Sequence, residues 1–403
     1  MVPVERLTQL SHRLTVGADA EVLARNLEQH RLASFPPSAS KTFRKLGPAE
    51  AATLLGITEG FLRVSSAALP AFSGHERTKR LYSLEDIAAL REILASKSRK
   101  GKAYVPTRRE GEHLQIISVM NFKGGSGKTT TSIHLAQYLA LHGYRVLAID
   151  LDPQASLTAM LGVRPEMDVP PNGSLYGALR YDDQRVPIAG LVRQTYIPGL
   201  SLIPASLELV EFEHETPRRA LQDHDDDLGG TRTFSRIDNA LQTIADDYDV
   251  VLVDCPPQLG YITLSALVAT TSILITIHPQ MLDVMSMNQF LAMMADLMDV
   301  IYEVSGSDPA KTDWYRYLPT RFEPGDGPQN QVVALLRSMF GERVLNQPVL
   351  KSTAISDAGL TGETLYEVDR AKFTRSTYDR ALDSINSVNS EIEGLIRQAW
   401  GRT

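Results

Sequence analysis

VMNFKGGSGKTTTSIHLA, residues 119–136, runs from an apolar stretch through a glycine-rich segment into a helical pattern. Gly124, Gly125 and Gly127 allow a backbone that curls until its N–H groups point inward at phosphate oxygens. A helix starting just behind the loop adds the positive end of its dipole. Lys128 supplies a point charge for β- and γ-phosphates, and the Thr129 hydroxyl stands where Mg²⁺ binds. The usual spacing, G-x-x-x-x-G-K-[ST], fails because its first position is Phe122. What stands instead is a loop with two lysines. Its nucleotide-facing set is Lys123, Gly124, Gly125, Ser126, Gly127, Lys128, Thr129 and Thr130.

The chain around this loop reads as the sheet it needs. Short apolar runs alternate with helical periods: QIISVM (115–120), RVLAID (145–150), LSLIPA (200–205), DVVLVD (249–254), SILITI (272–277) and WYRYLP (314–319). Several are nearly continuous in Val, Ile and Leu, as strands buried on both faces must be. The alternation predicts an α/β fold with a mostly parallel sheet flanked by helices. RVLAIDLDPQASLT (145–158) closes a strand with Asp150 and Asp152, and YDVVLVDCPPQLG (248–260) closes another with Asp254. Carboxylates at the C-terminal edge of a parallel sheet face its ligand crevice. A lone Asp after a strand is as readily a helix cap, but these stand with the loop. Cys255 reads as a small buried filler.

The two-lysine loop resembles the deviant Walker A box of the ParA/MinD-like ATPases, which have a P-loop NTPase fold. KGGSGKTT and AIDLDPQASLT are closest to the members found on repABC plasmids, and the resemblance spans about residues 45–400. It implies ATP/ADP and Mg²⁺ as cofactors and conversion of ATP and water to ADP and phosphate. It also implies that Lys123 crosses a homodimer interface to the partner's nucleotide. Lys128 and Asp152 complete the catalytic set, Asp152 orienting the attacking water, while Asp150 has a structural part. Asp254, on a strand resembling Walker B, joins Thr129 at the Mg²⁺. Thr320 and Arg321 in LPTRFEPGD (318–326) are the candidates for adenine contact. Residues 349–396 resemble the same group, in which a basic surface of the ATP dimer grips non-specific DNA. Lys351, Arg370, Lys372, Arg375 and Arg380 are the cations there, although a solvated helix face accounts for each singly.

Charge separates the front of the chain from its body. Residues 1–110 hold 18 Lys and Arg against 11 Asp and Glu, while the whole chain is at −7. A basic front suggests a nucleic-acid partner. LGPAEAATLLGITEGFLRVSSAALP (46–70) reads as a helix-turn-helix, with Pro48 in a first turn, Gly56-Ile57 at the bend and Thr58 capping a second helix that carries Arg63, Ser65 and Ser66. FSGHERTKRLYSLEDIAALREIL (72–94) adds a basic hairpin and a helix capped by Ser83, and resembles the winged-helix reader of MerR-like proteins. Arg77, Lys79 and Arg80 then lie near phosphates. The resulting division is a helical dimerisation arm (1–40, with a helix at Glu21 to Leu32), an all-α/winged-helix DNA-binding domain (41–105) and the ATPase domain (106–403). KSRKGKAYVPTRREGEH (97–113) reads as an exposed connector, and HDDDLGG (224–230) as an acidic loop.

Several classes drop out. One cysteine excludes an internal disulfide and fits a reducing cytosol. The N-terminal stretch lacks the apolar core of a secretion signal. Cys255 to Leu282 is free of charged residues but interrupted by Pro256, Pro257 and Pro279, so it reads as loop, buried helix and buried strand and not as a span. Nitrogenase-type reductases need more cluster-ligating thiolates than one. The expectation is a cytoplasmic, nucleoid-associated partition ATPase. Its hydrolysis is stimulated by a ParB-like centromere-binding protein, and its N-terminal domain represses its own operon. A transcription regulator that uses ATP only as a ligand, and a MinD-like membrane-cycling ATPase, are the alternatives. The tail EIEGLIRQAWGRT lacks the strongly basic amphipathic face that the last would need.

Overall fold

Pro48 in its first turn starts helix α1 (Pro48–Leu55), and Gly56, at φ 64°, ends it. Thr58 caps α2 (Glu59–Ser65), accepting from the Phe61 N–H at 3.3 Å. Two antiparallel strands, β1 (His75–Glu76) and β2 (Lys79–Arg80), precede α3 (Leu84–Lys97). Ser83 and Asp86 cap α3 reciprocally, each side chain accepting from the other's backbone N–H. The computed structural model describes residues 15–19, 21–23, 25–26, 41–69, 75–76, 79–97, 104–222, 234–305 and 312–402. They belong to two units, Met1–Lys41 and Thr42–Thr403. In the first, 15–19, 21–23 and 25–26 are helical, and the rest of the expected arm lies outside the described residues, as does the 224–230 loop.

The second unit is built on a seven-stranded sheet. Its strands are β3 (Gln115–Met120), β4 (Val146–Asp150), β5 (Arg193–Gln194), β6 (Leu200–Ile203), β7 (Val250–Asp254), β8 (Ser272–Ile277) and β9 (Trp314–Pro319), in the order β5-β6-β4-β7-β3-β8-β9. Every pairing is parallel except the short edge strand β5 against β6. β3, β4, β6, β7 and β8 are buried along their full length, as their unbroken apolar runs require. The expected runs at 115–120, 272–277 and 314–319 match their strands; the others begin or end one or two residues inside their runs.

The crossovers run through α4 (Lys128–Leu141), α5 (Leu209–Gln222), α6 (Arg236–Gln242), α7 (Tyr261–Ala269) and α8 (Met281–Ser305). After β9 come α9 (Gly327–Phe340), α10 (Thr353–Leu360) and α11 (Arg375–Ala399). On α11, Tyr378, Ala381, Ile385, Val388, Ile392 and Ile396 recur at three- and four-residue spacing and form its buried stripe. The uncharged stretch from Cys255 divides into loop, α7 and β8, and no helix among the described residues is long and apolar enough to cross a membrane.

The expected exposed connector is partly covered. Between 104 and 108 the chain is half-buried, not exposed. The Arg108 side chain donates to the carbonyls of Tyr248 at 2.9 Å, Glu112 at 3.1 Å and Ala245, and its N–H donates to Asp249 at 2.9 Å. Arg402 donates to the carbonyls of Pro106 and Thr107, both at 2.8 Å. Composition marked the segment as polar, but its cations meet inward-facing carbonyls. Leu46, Ala52, Leu62, Tyr82, Ile87 and Leu90 also join the same buried apolar cluster as Leu139, Tyr144 and Trp400. Helices α1, α2 and α3 are therefore packed onto the sheet within the second unit.

Candidate functional site

The loop between β3 and α4 forms the floor of a cleft of about 520 Å³, lined by Gly124, Gly125, Gly127, Lys128, Thr129, Thr130, Asp152, Thr320, Arg321 and Lys351 among others. Gly125 and Gly127 adopt φ 74° and 87°, the left-handed region in which an L side chain is strained. A Cβ on Gly127 would also stand 3.5 Å from Thr320. Ser126 is buried, with its hydroxyl 3.0 Å from that of Thr276. Asn121, buried at the strand end, accepts from the Lys123 N–H at 3.0 Å and donates to the Thr276 carbonyl, so the loop is held from below.

The two lysines part company. Lys128, buried, turns inward, its amine 3.3 Å from the Lys123 carbonyl. Burial lowers its pKa, against the pull of Asp254, Cys255 and Asp152. Lys123 turns outward and pairs with Asp283 on the first turn of α8 at 2.9 Å; its side chain is 46% exposed, that of Asp283 only 4%.

One carboxylate, Asp152, lines the cleft, and two more, Asp254 and Asp150, are buried behind it. Asp254 accepts from the Thr129 hydroxyl at 2.7 Å and the Ser132 hydroxyl at 2.8 Å. Burial pushes its carboxyl up to about 6, although those bonds and Lys128 pull the other way. Asp150 sits beside it in the sheet register and accepts from the N–H and hydroxyl of Thr158 at 2.8 and 2.7 Å. Burial, then repulsion from Asp254, raises it to about 8. Asp152 is half-buried on the cleft wall, accepting from the Gln154 N–H at 2.9 Å. Cys255 is buried and its thiol is pushed up to about 12 by burial, so it is no nucleophile at neutral pH. Among the described residues no three His, Cys, Asp or Glu side chains stand together as a metal cage. A hydroxyl beside one carboxylate suits Mg²⁺, which takes few protein ligands and completes its shell with phosphate and water.

Thr320 and Arg321 reach the loop's backbone. The Thr320 hydroxyl donates to the Ser126 carbonyl at 2.7 Å, and Arg321 Nη1 to the Gly125 carbonyl at 3.2 Å. Arg321 does so from φ 53°, a strained conformation for a branched-free but non-glycine residue. Thr320 is buried beneath the glycines.

The DNA candidates are scattered. On α2, Arg63 is exposed and Ser65 half-buried, but Ser66, expected beside them, is buried against the Leu62 carbonyl and the Tyr82 hydroxyl. Lys79 and Arg80 form β2, and Arg77 lies outside the described residues. Lys351 pairs with Glu323 at 2.8 Å on the cleft side and lines a second crevice together with Arg380. Arg370 and Arg375 share Asp379, and Lys372 stands 3.7 Å from Glu363. Such exposed pairs are weak, so each can exchange its carboxylate for another anion. Sequence reading missed Asn121, Ser132 and Asp283. The first two lie within the motif, Ser132 one helical turn after Lys128; Asp283 carried no signal.

The AAA domain family profile matches residues 114–303. A relative from Rhizobium rhizogenes named "Putative replication protein A" is 59% identical over 385 residues, 95% of this chain and 94% of the relative. The chromosome partitioning protein ParA of Caulobacter vibrioides is 29% identical over 258 residues, 64% of this chain and 88% of the relative. A solved partition protein shares the fold at TM-score 0.57 and 19% identity, over 92% of this chain and 98% of that one. The two-lysine loop, its parallel sheet and the 59% identity to the first relative over nearly its whole length thus agree, and the chain belongs to the ParA family of partition ATPases.

Proposed function

We propose that the chain is a nucleotide-switched DNA-partition motor whose ATP-bound form is a sandwich dimer on non-specific DNA. The observation that carries this reading is the divergence of two lysines on one glycine loop. Lys128 faces the cleft with Thr129 and Asp152, Asp254 is buried behind the Thr129 hydroxyl, and Lys123 stands on the rim where a second subunit would meet it. Within the cleft, Gly124 to Thr130 bind the triphosphate and Lys128 neutralises its charge. Thr129 and Asp254 would hold Mg²⁺, which supplies charge stabilisation on the phosphate oxygens. Asp152 orients the attacking water, and Asp150 holds the strand end through Thr158. Thr320 and Arg321 support the loop and border the nucleotide.

The chain is divided into an arm (1–40), a winged-helix operator reader (41–105) and the ATPase (106–403). The reader contacts operator DNA through Arg63, Ser65, Arg77, Lys79 and Arg80 and represses the chain's own operon. Lys351, Arg370, Lys372 and Arg375 give the dimer its grip on phosphates, at a salt-dependent affinity. A ParB-like centromere-binding protein completes water positioning and accelerates a slow intrinsic turnover. The protein acts in the cytoplasm on the nucleoid.

Light scattering with ATP, ADP or no nucleotide, alongside binding to a random DNA duplex, tests the switch. A monomer-to-dimer step and tighter DNA binding with ATP alone are expected; nucleotide-independent mass and affinity would refute it. Asp152→Ala is expected to bind ATP and dimerise while turnover falls about 100-fold or more, read as phosphate release in a single turnover. Chelation with EDTA is expected to abolish turnover and disperse the ATP dimer, and added Mg²⁺ to restore both. Unchanged turnover in EDTA would remove the metal from the scheme.

A further inference from the structure

Arg91, on α3 of the N-terminal segment, is only 8% exposed, yet its guanidinium is spent on backbone carbonyls. Nη2 donates to Leu54 at 2.8 Å and to Leu141 at 2.7 Å, and Nη1 to Tyr104 at 3.2 Å. Leu54 lies in the last turn of α1 and Leu141 is the last residue of α4. A helix leaves its final carbonyls without internal partners and its C-terminus favours a cation. One side chain thus caps both the first reader helix and the helix that begins at the phosphate loop. Gly143 closes over it: a Cβ there would stand 3.0 Å from Arg91 Cδ. Burial draws the guanidinium down to about 10, with Glu393 opposing.

The surroundings make this tie a joint. On one side lies a groove of about 920 Å³ bordered by Phe43, Leu54, Tyr138 and His142, and on the other a crevice of about 260 Å³ bordered by Ile87 and Val105. α1 and α4 share one buried apolar cluster through Ala52, Leu55, Leu139 and Leu141, so a displacement of either helix is felt at these buried charge-assisted bonds. α4 starts at Lys128 and runs 14 residues, a rigid rod of about 20 Å.

We propose that Arg91 is the positioning residue that couples the nucleotide site to the DNA reader, α4 acting as the rod and the α1 turn at Leu54 as the driven part. The inference rests on the reading of the cleft as an ATP site and of the N-terminal segment as an operator reader. Coupling of this kind is reciprocal: operator DNA must change nucleotide affinity by the factor by which nucleotide changes operator affinity.

The test uses the full chain, a labelled duplex from upstream of its own gene with random duplex as competitor, and fluorescent ADP and ATP analogues. For the native protein, a matched shift of about 5-fold or more in both directions is expected. Arg91→Met should keep its nucleotide affinity without DNA and reduce the shift to within about twofold of none. Arg91→Lys keeps the charge but lacks the planar fork; it should also reduce the shift, and it decides the matter if Arg91→Met fails to fold. A native protein that binds both ligands without mutual effect, or a folded Arg91→Lys with the native shift, would overturn the joint while leaving the proposed function intact. Failure to bind either ligand would instead strike the proposed function.

Discussion

Lys128→Ala is expected to raise the dissociation constant for ATP at least about 100-fold, the scale of deleting one partner of a desolvated charge pair. The reason lies in how little the amine does before nucleotide arrives. It is already buried, and its one hydrogen bond is a 3.3 Å contact to the Lys123 carbonyl. Most of its donor capacity therefore remains for phosphate oxygens, and the folded chain has already met its dehydration cost. Removing it also strips the nearest cation from the Asp254 carboxylate, whose pKa burial has raised. Titration calorimetry with ATP and Mg²⁺ measures the effect, with thermal unfolding as the check on folding. Native-like affinity in a folded variant would mean that the cleft does not bind a triphosphate through its loop.

Lys123→Ala should separate binding from assembly. ATP affinity is expected to stay within about tenfold of native, an effect of about 1.4 kcal/mol at most, while ATP-driven dimerisation disappears in light scattering. The tertiary structure adds a complication that the motif did not announce. Asp283 is buried, its Oδ1 is held by Lys123 at 2.9 Å and its Oδ2 has no hydrogen-bond partner among the described residues. Deleting the lysine leaves that carboxylate unpaired, at a cost of about 1–3 kcal/mol once the half-exposed lysine's solvent screening is allowed for. The double variant Lys123→Ala/Asp283→Asn should recover the lost stability and still fail to dimerise. If it dimerised on ATP as the native chain does, Lys123 would have no part at the interface.

Local order was legible because it follows from short-range rules. The glycine spacing, the strand–helix alternation and the carboxylates closing β4 and β7 each depend on neighbours in the chain, and each appears in the fold. The edge strand β5 was not legible: two residues, Arg193–Gln194, carry no periodicity, and only pairing with β6 makes them a strand. Ser66 looked like a reading residue because a serine in a helix pattern does not reveal which face is covered.

By itself, the sequence determined the phosphate loop, the parallel sheet and the set of charged residues at the cleft, since glycine geometry, apolar periodicity and side-chain chemistry act over a few residues. Only the tertiary structure decided which partners those charges take. Lys123 meets Asp283 across 160 positions, Thr320, just past the edge strand β9, props up the glycines after β3, and Arg91 pins two helices whose ends lie 87 residues apart. Such pairings arise from where the sheet and helices bring distant segments together, and a buried charge or carbonyl must then find its partner among whatever stands there.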